Sequence, residues 1–69
     1  MKIYFKKIEE FMEDNAMNLA DMQKVTGVHV SIISRMRTRG TANAETVRAI
    51  NRATKLEIQK KPVTARSVA

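Results

Sequence analysis

The sequence predicts an all-α fold: a compact bundle of four to five short helices, followed by an extended or short-helical C-terminal arm. Three observations lead there. Apolar residues recur at intervals of three and four as far as Thr54, the period of helices that bury one face. Asn18 and Asn43 stand where helices would start, and Gly27 and Gly40 stand where they would stop. Beyond Thr54 the pattern changes, and Lys55-Leu56-Glu57-Ile58-Gln59 alternates polar and apolar residues.

The elements follow in order. Tyr4, Phe5, Ile8, Phe11 and Met12 give one apolar face to a first helix spanning Lys2 to Ala16. Its other face carries Lys6, Lys7, Glu9, Glu10, Glu13 and Asp14 and reads as a solvated surface. Asn18, with Asp21 three residues on, caps a second helix from Leu19 to about Thr26, with Leu19, Met22 and Val25 as its apolar positions. Gly27 ends it, because glycine accepts positive φ without steric cost. A third helix runs from Val30 to about Thr38 and stops at Gly40. Asn43 opens a fourth from Ala44 to Thr54, with Val47, Ile50 and Ala53 turned inward. Pro62 closes any regular element, and a mobile tail is expected over Val63 to Ala69. These readings divide the chain into a domain over 1–54 and an arm over 55–69.

Composition narrows the function. The chain has 69 residues and no cysteine, so neither a disulfide framework nor a thiolate metal site is available. A single histidine adds no metal constellation, and neither metal nor cofactor is expected. No apolar run approaches the roughly 20 residues of a membrane-spanning helix, and no secretory h-region is present. No nucleophile–base pair suggests an enzyme. The charge is the informative quantity: the chain carries a net +6, with a pI near 10.2. All of the excess lies in the second part, where Arg35, Arg37, Arg39, Arg48, Arg52 and Arg66 hold every arginine of the chain. A planar fork of donors suits phosphate and guanine better than an ammonium does, so the distribution points to nucleic acid. The three aromatic residues, Tyr4, Phe5 and Phe11, all lie in the first helical segment, which leaves no stacking platform for single strands.

Two short helices joined by a tight glycine turn, the second running into arginines, form a helix-turn-helix pattern over about 19–38. The segment Leu19-Ala-Asp-Met-Gln-Lys-Val-Thr-Gly27-Val28-His-Val-Ser-Ile-Ile33-Ser-Arg35-Met36 resembles the DNA-binding module of the Cro and phage-repressor family. The matching features are Met22, the turn Thr26-Gly27-Val28, the pair Ile33 and Met36, and Ser34-Arg35. Asn43-Ala-Glu-Thr-Val-Arg-Ala-Ile50 looks like the family's next helix. Three positions depart from the family pattern. Gln23 stands where a small residue is usual, Leu19 where glutamine is common, and His29 where serine or threonine caps the recognition helix.

Helical geometry places the candidate contacts. With Ile33 set at zero, Met36 and His29 fall within about 60° of it, while Ser34, Thr38, Ser31 and Arg35 fall at about 100–200°. That outward face is polar and short-chained apart from one arginine, which suits a helix pressed into a major groove. Arg35 is the first candidate for base reading, through guanine O6 and N7. Ser31 and Ser34 can donate or accept. Val30 can pack on a thymine methyl or between helices, and Ile32 reads as packing, at a helix flank or on the dimer side. The resemblance implies that Arg37, Thr38, Arg39, Thr41 and Asn43 follow the sugar-phosphate backbone, as do Asn18, Leu19 and His29 at the helix starts. Arg48 and Arg52 extend the basic footprint or pair with Glu45.

The family resemblance implies a sequence-specific double-stranded DNA-binding regulator, most simply a Cro-like repressor. It would act as a homodimer on an inverted-repeat operator and autoregulate a phage or mobile-element operon in the bacterial cytoplasm. Ile50, Leu56 and Ile58 are the candidate dimer residues, with Lys55 to Lys61 pairing as strands across a two-fold axis or helix four packing on its mate. The alternative is an antitoxin or adaptor whose arm over 55–69 binds a partner protein. No membrane or small-molecule partner is expected.

Overall fold

The computed structural model describes residues 1–62, so the expected tail over 63–69, including Arg66, lies outside the described residues. Four helices occur in the expected order: α1 (Phe5–Asp14), α2 (Leu19–Thr26), α3 (Val30–Arg39) and α4 (Ala44–Thr54). Their starts follow the capping chemistry. The Asp21 amide donates to Asn18 Oδ1 at 2.9 Å while the Asn18 amide donates to Asp21 Oδ2 at 3.1 Å, a reciprocal box that satisfies two orphan donors. Asn43 Oδ1 accepts from the Thr46 amide at 2.8 Å. Gly27 and Gly40 terminate α2 and α3 in the left-handed region, at φ 78° and 72°. No heavy atom would meet a Cβ at either glycine, so backbone conformation alone requires them.

One cluster forms the core: Ile3, Ile8, Met22, Val28, Ile33, Met36, Val47, Ile50 and Ile58. Phe5, Phe11, Met12, Met17, Leu19 and Leu56 pack around it half-buried, so the methionines fill gaps in a core short of aromatic rings. α2 packs against both α3 and α4.

The two ends of the domain differ from expectation. The first helix begins at Phe5, not Lys2, because the preceding backbone is engaged elsewhere. The Ile3 amide donates to the Gly40 carbonyl at 2.9 Å, the Ala42 amide to the Met1 carbonyl at 2.9 Å, and the Tyr4 amide to the Ile58 carbonyl at 2.8 Å. Lys2 and Thr41 thereby form an isolated antiparallel bridge. Ile3, outside the helical period, becomes a core residue.

The arm is also part of the core. Ile58 is fully buried. Asn51 on α4 clasps the returning chain, accepting from the Ile58 amide at 3.0 Å and donating from Nδ2 to Gln59 Oε1 at 2.7 Å. The Thr54 hydroxyl, itself buried, donates to the Ile50 carbonyl and accepts from the Leu56 amide. Ile50 and Ile58, expected at a dimer surface, are instead fully buried within their own chain. Residues 55–61 form no strand: the Ile58 carbonyl accepts from the Tyr4 amide and the Ile58 amide donates to Asn51 Oδ1. The packed body continues to Gln59, past the boundary expected at Thr54. Val25 is a smaller correction, lying 47% exposed on the outer side of α2.

Among the described residues two that are not glycine sit at positive φ, Ala16 (53°) after α1 and Lys55 (62°) after α4. Ala16 is exposed in the link between α1 and α2, and its amide donates to the Glu13 carbonyl at 3.2 Å. Removing its Cβ relieves left-handed strain of about 1–2 kcal/mol, partly offset by the freer unfolded chain. Ala16→Gly is accordingly expected to raise the thermal midpoint by a few degrees, read by circular dichroism. Ile58→Ala empties a fully buried site and is expected to cost about 2–5 kcal/mol in urea unfolding. A chain ending at Thr54 should lose its cooperative fold altogether.

Candidate nucleic-acid interface

The turn between α2 and α3 is held by side chains as well as by Gly27. The Thr26 hydroxyl donates to the Met22 carbonyl at 2.7 Å and accepts from the Val28 amide at 3.1 Å. Val28 then drops into the core. Gln23 supplies the contact that sequence reasoning missed. Its Oε1 accepts from the Val30 amide at 3.0 Å, bridging α2 to the first residue of α3. A small residue at this crossing could not reach. The long side chain that departs from the family pattern instead replaces close packing with a hydrogen bond. His29 caps the same end, its Nδ1 accepting from the Ser31 amide at 3.1 Å.

These bonds set the start of α3, and burial of Ile33 and Met36 sets its rotation. The face opposite those two residues is as the helical period requires: Ser31, Arg35 and Thr38 are exposed and Ser34 is half-buried. Val30 is half-buried beside them, and Ile32 is 40% exposed on the flank toward α4.

The remaining candidates separate into two groups on either side of α3. Arg35, Arg39, Thr41 and Asn43 line one groove with Ile32 and Thr46, where the end of α3 meets the start of α4. Arg37 lies apart from them, in a groove with Leu19 at the start of α2 and with Glu9 and Glu13 of α1. No ion pair joins Arg37 to either carboxylate. Leu19 packs half-buried against the core, so only its backbone amide is available as a polar contact. Asn18 and Asn43 spend their side-chain oxygens as caps and keep their NH₂ donors.

Tertiary pairing brings in one cation that lay far away in the sequence. Lys2, exposed and bridged by its backbone to Thr41, joins the loop that follows α3, with its ammonium 5.4 Å from the Tyr4 ring centre. Nothing in the local pattern of residues 1–4 could signal this, because the pairing spans the domain. Arg48 and Arg52 are exposed on α4, and neither pairs with Glu45. Among the described residues the one ion pair is Glu57–Lys60, at 3.2 Å and well exposed. No cluster of three metal-ligating side chains occurs among the described residues, and no helix there is long and apolar enough to cross a membrane.

The fold and the outward face of α3 define a helix-turn-helix DNA-binding domain. The Cro/C1-type HTH DNA-binding domain family matches residues 7–59, well over half of the chain, and the protein belongs to that family. It is therefore a sequence-specific DNA-binding protein of the transcription-regulator class. Comparison with curated proteins and with solved structures gave no match. The matched span ends at Gln59, where the structure also places the last contact with Asn51.

The Gln23 bridge makes a direct prediction. Gln23→Ala removes the acceptor of the Val30 amide and is expected to cost about 1 kcal/mol of stability. Hydrogen exchange at the Val30 amide should accelerate more than at the buried amides of α4.

Proposed function

We propose that the chain is a Cro-like repressor that binds an inverted-repeat operator as a homodimer and autoregulates the operon of a phage or mobile element. Its place of action is the bacterial cytoplasm, on the chromosome or phage DNA. The observation that carries this reading is the outward face of α3, with Ser31, Arg35 and Thr38 exposed on a helix locked from behind by Ile33 and Met36. Short side chains let the helix approach the floor of a major groove. Arg35 can then span guanine O6 and N7, worth about 1–3 kcal/mol of discrimination. Ser31 and Ser34 read beside it, and Val30 meets a thymine methyl.

The two lateral groups supply the phosphate contacts. Arg39, Thr41 and Asn43 hold the backbone on one side of the groove, with Thr38 and Lys2 adding to them. Arg37, the Asn18 amide group and the first amides of α2 hold the opposite side. His29 lies between, at the start of the reading helix. Repression follows from occupying a promoter and excluding polymerase, with no chemical step.

Two protomers place their reading helices in successive major grooves about 34 Å apart. Of the three residues expected at the dimer surface, Leu56 alone retains accessible area. The alternative, an antitoxin or adaptor whose arm over 55–69 binds a partner protein, draws less support from this fold, because Ile58 is buried in its own core.

Selection of bound sequences from a random duplex library at ~0.15 M salt tests the proposal. Wild type is expected to enrich an inverted repeat with half-sites one helical turn apart, and Arg35→Ala to lose one guanine from each half. Recovery of a single half-site would overturn the dimer. Binding without any motif, lost steeply as salt rises, would leave only phosphate attraction.

A further inference from the structure

We propose that His29 fixes the hydrogen-bonding polarity of Ser31, so that Ser31 meets DNA as an acceptor and selects an exocyclic amine, adenine N6 or cytosine N4. The inference rests on the reading of α3 as the recognition helix.

A serine hydroxyl by itself is ambiguous, since it donates one hydrogen and accepts two, and it pairs with any base edge. Here the ambiguity is removed by geometry. The Ser31 amide donates to His29 Nδ1 at 3.1 Å. A proton on Nδ1 would set two hydrogens against each other, so Nδ1 carries its lone pair and the ring proton sits on Nε2. Ser31 Oγ lies 2.9 Å from the same Nδ1. With no proton on that nitrogen, the hydroxyl is the donor of the pair, sharing the one Nδ1 lone pair with the amide in a three-centre bond. Its hydrogen is therefore drawn back toward His29, and the lone pairs of Oγ are left for the groove. The groove beside His29 is lined by Gly27, Val28 and Ile32 and by Glu45, Thr46 and Ala49 of α4. Glu45 is the one charged group among these, and no ion pair joins it to the ring.

Ser31 is exposed on the outward face, one turn before Arg35. Four residues of helix advance about 6 Å, so the two side chains meet neighbouring base pairs. Lone pairs presented there are repelled by guanine O6 and N7 and by thymine O4, and attracted by an amine.

Duplex-library selection with wild type, Ser31→Ala, His29→Ala and His29→Asp tests this, with folding of each variant followed by circular dichroism. Wild type is expected to prefer adenine or cytosine, on the contacted strand, within one or two base pairs of the guanine read by Arg35. Ser31→Ala keeps the cap and should lose that preference by about tenfold, the worth of one hydrogen bond. His29→Ala frees the hydroxyl to rotate, so the position should accept all four bases while the guanine stays. His29→Asp accepts from both the amide and the hydroxyl and should restore the preference, even if overall affinity falls. Were His29 only a helix cap, His29→Ala would weaken binding uniformly and leave the preference intact. That result, or guanine or thymine at this position in wild type, overturns the proposal while leaving α3 as the reading helix. A wild-type selection with no motif overturns both.

Discussion

Burial of Ile33 and Met36 in one cluster with Met22, Val47 and Ile50 is the constraint on which the rest of the structure depends. A helix has one rotational freedom once its axis is placed, and two buried side chains three residues apart remove it. The outward direction of Ser31, Arg35 and Thr38 then follows without further design. So does the division of the arginines: Arg35 and Arg39 turn toward α4, while Arg37 turns toward α1 and α2. Helix α3 thus acquires a cationic group on each flank from the helical period alone.

Rotation fixes which residues face out, but the start of the helix fixes how far along its axis they lie. Here polar contacts act where an apolar core cannot reach. Gln23 Oε1, His29 Nδ1 and the Thr26 hydroxyl each take an amide between Val28 and Ser31. Together with the left-handed Gly27, they leave the turn few conformations to lose when DNA binds. Preorganisation of this kind lowers the cost of association without adding any contact to the ligand.

A small domain also has to close its core. With few aromatic rings and no disulfide, the chain recruits both of its ends, Ile3 from the N-terminal stretch and Ile58 from the returning arm. The N-terminal backbone straps the loop that carries Thr41, and Asn51 straps the arm. The ends therefore tie the stability of the core to the position of the candidate phosphate contacts after α3.

Features that depend on near neighbours along the chain could be read in the sequence before folding. The four helices, the caps at Asn18 and Asn43, the left-handed stops at Gly27 and Gly40 and the outward face of α3 were all legible there. Each rests on interactions within about four residues, which spacing records. The remaining features arise from long-range packing. Ile3 and Ile58 lie outside any helical period, and an alternating segment looks the same whether it joins a second chain or folds back on its own. Gln23 reads as a misfit until the Val30 amide is seen beside it, and Lys2 reads as a terminal charge until it pairs with Thr41. These partners are brought together by closure of the core over long stretches of chain, and a local pattern carries no record of what the chain meets on its return.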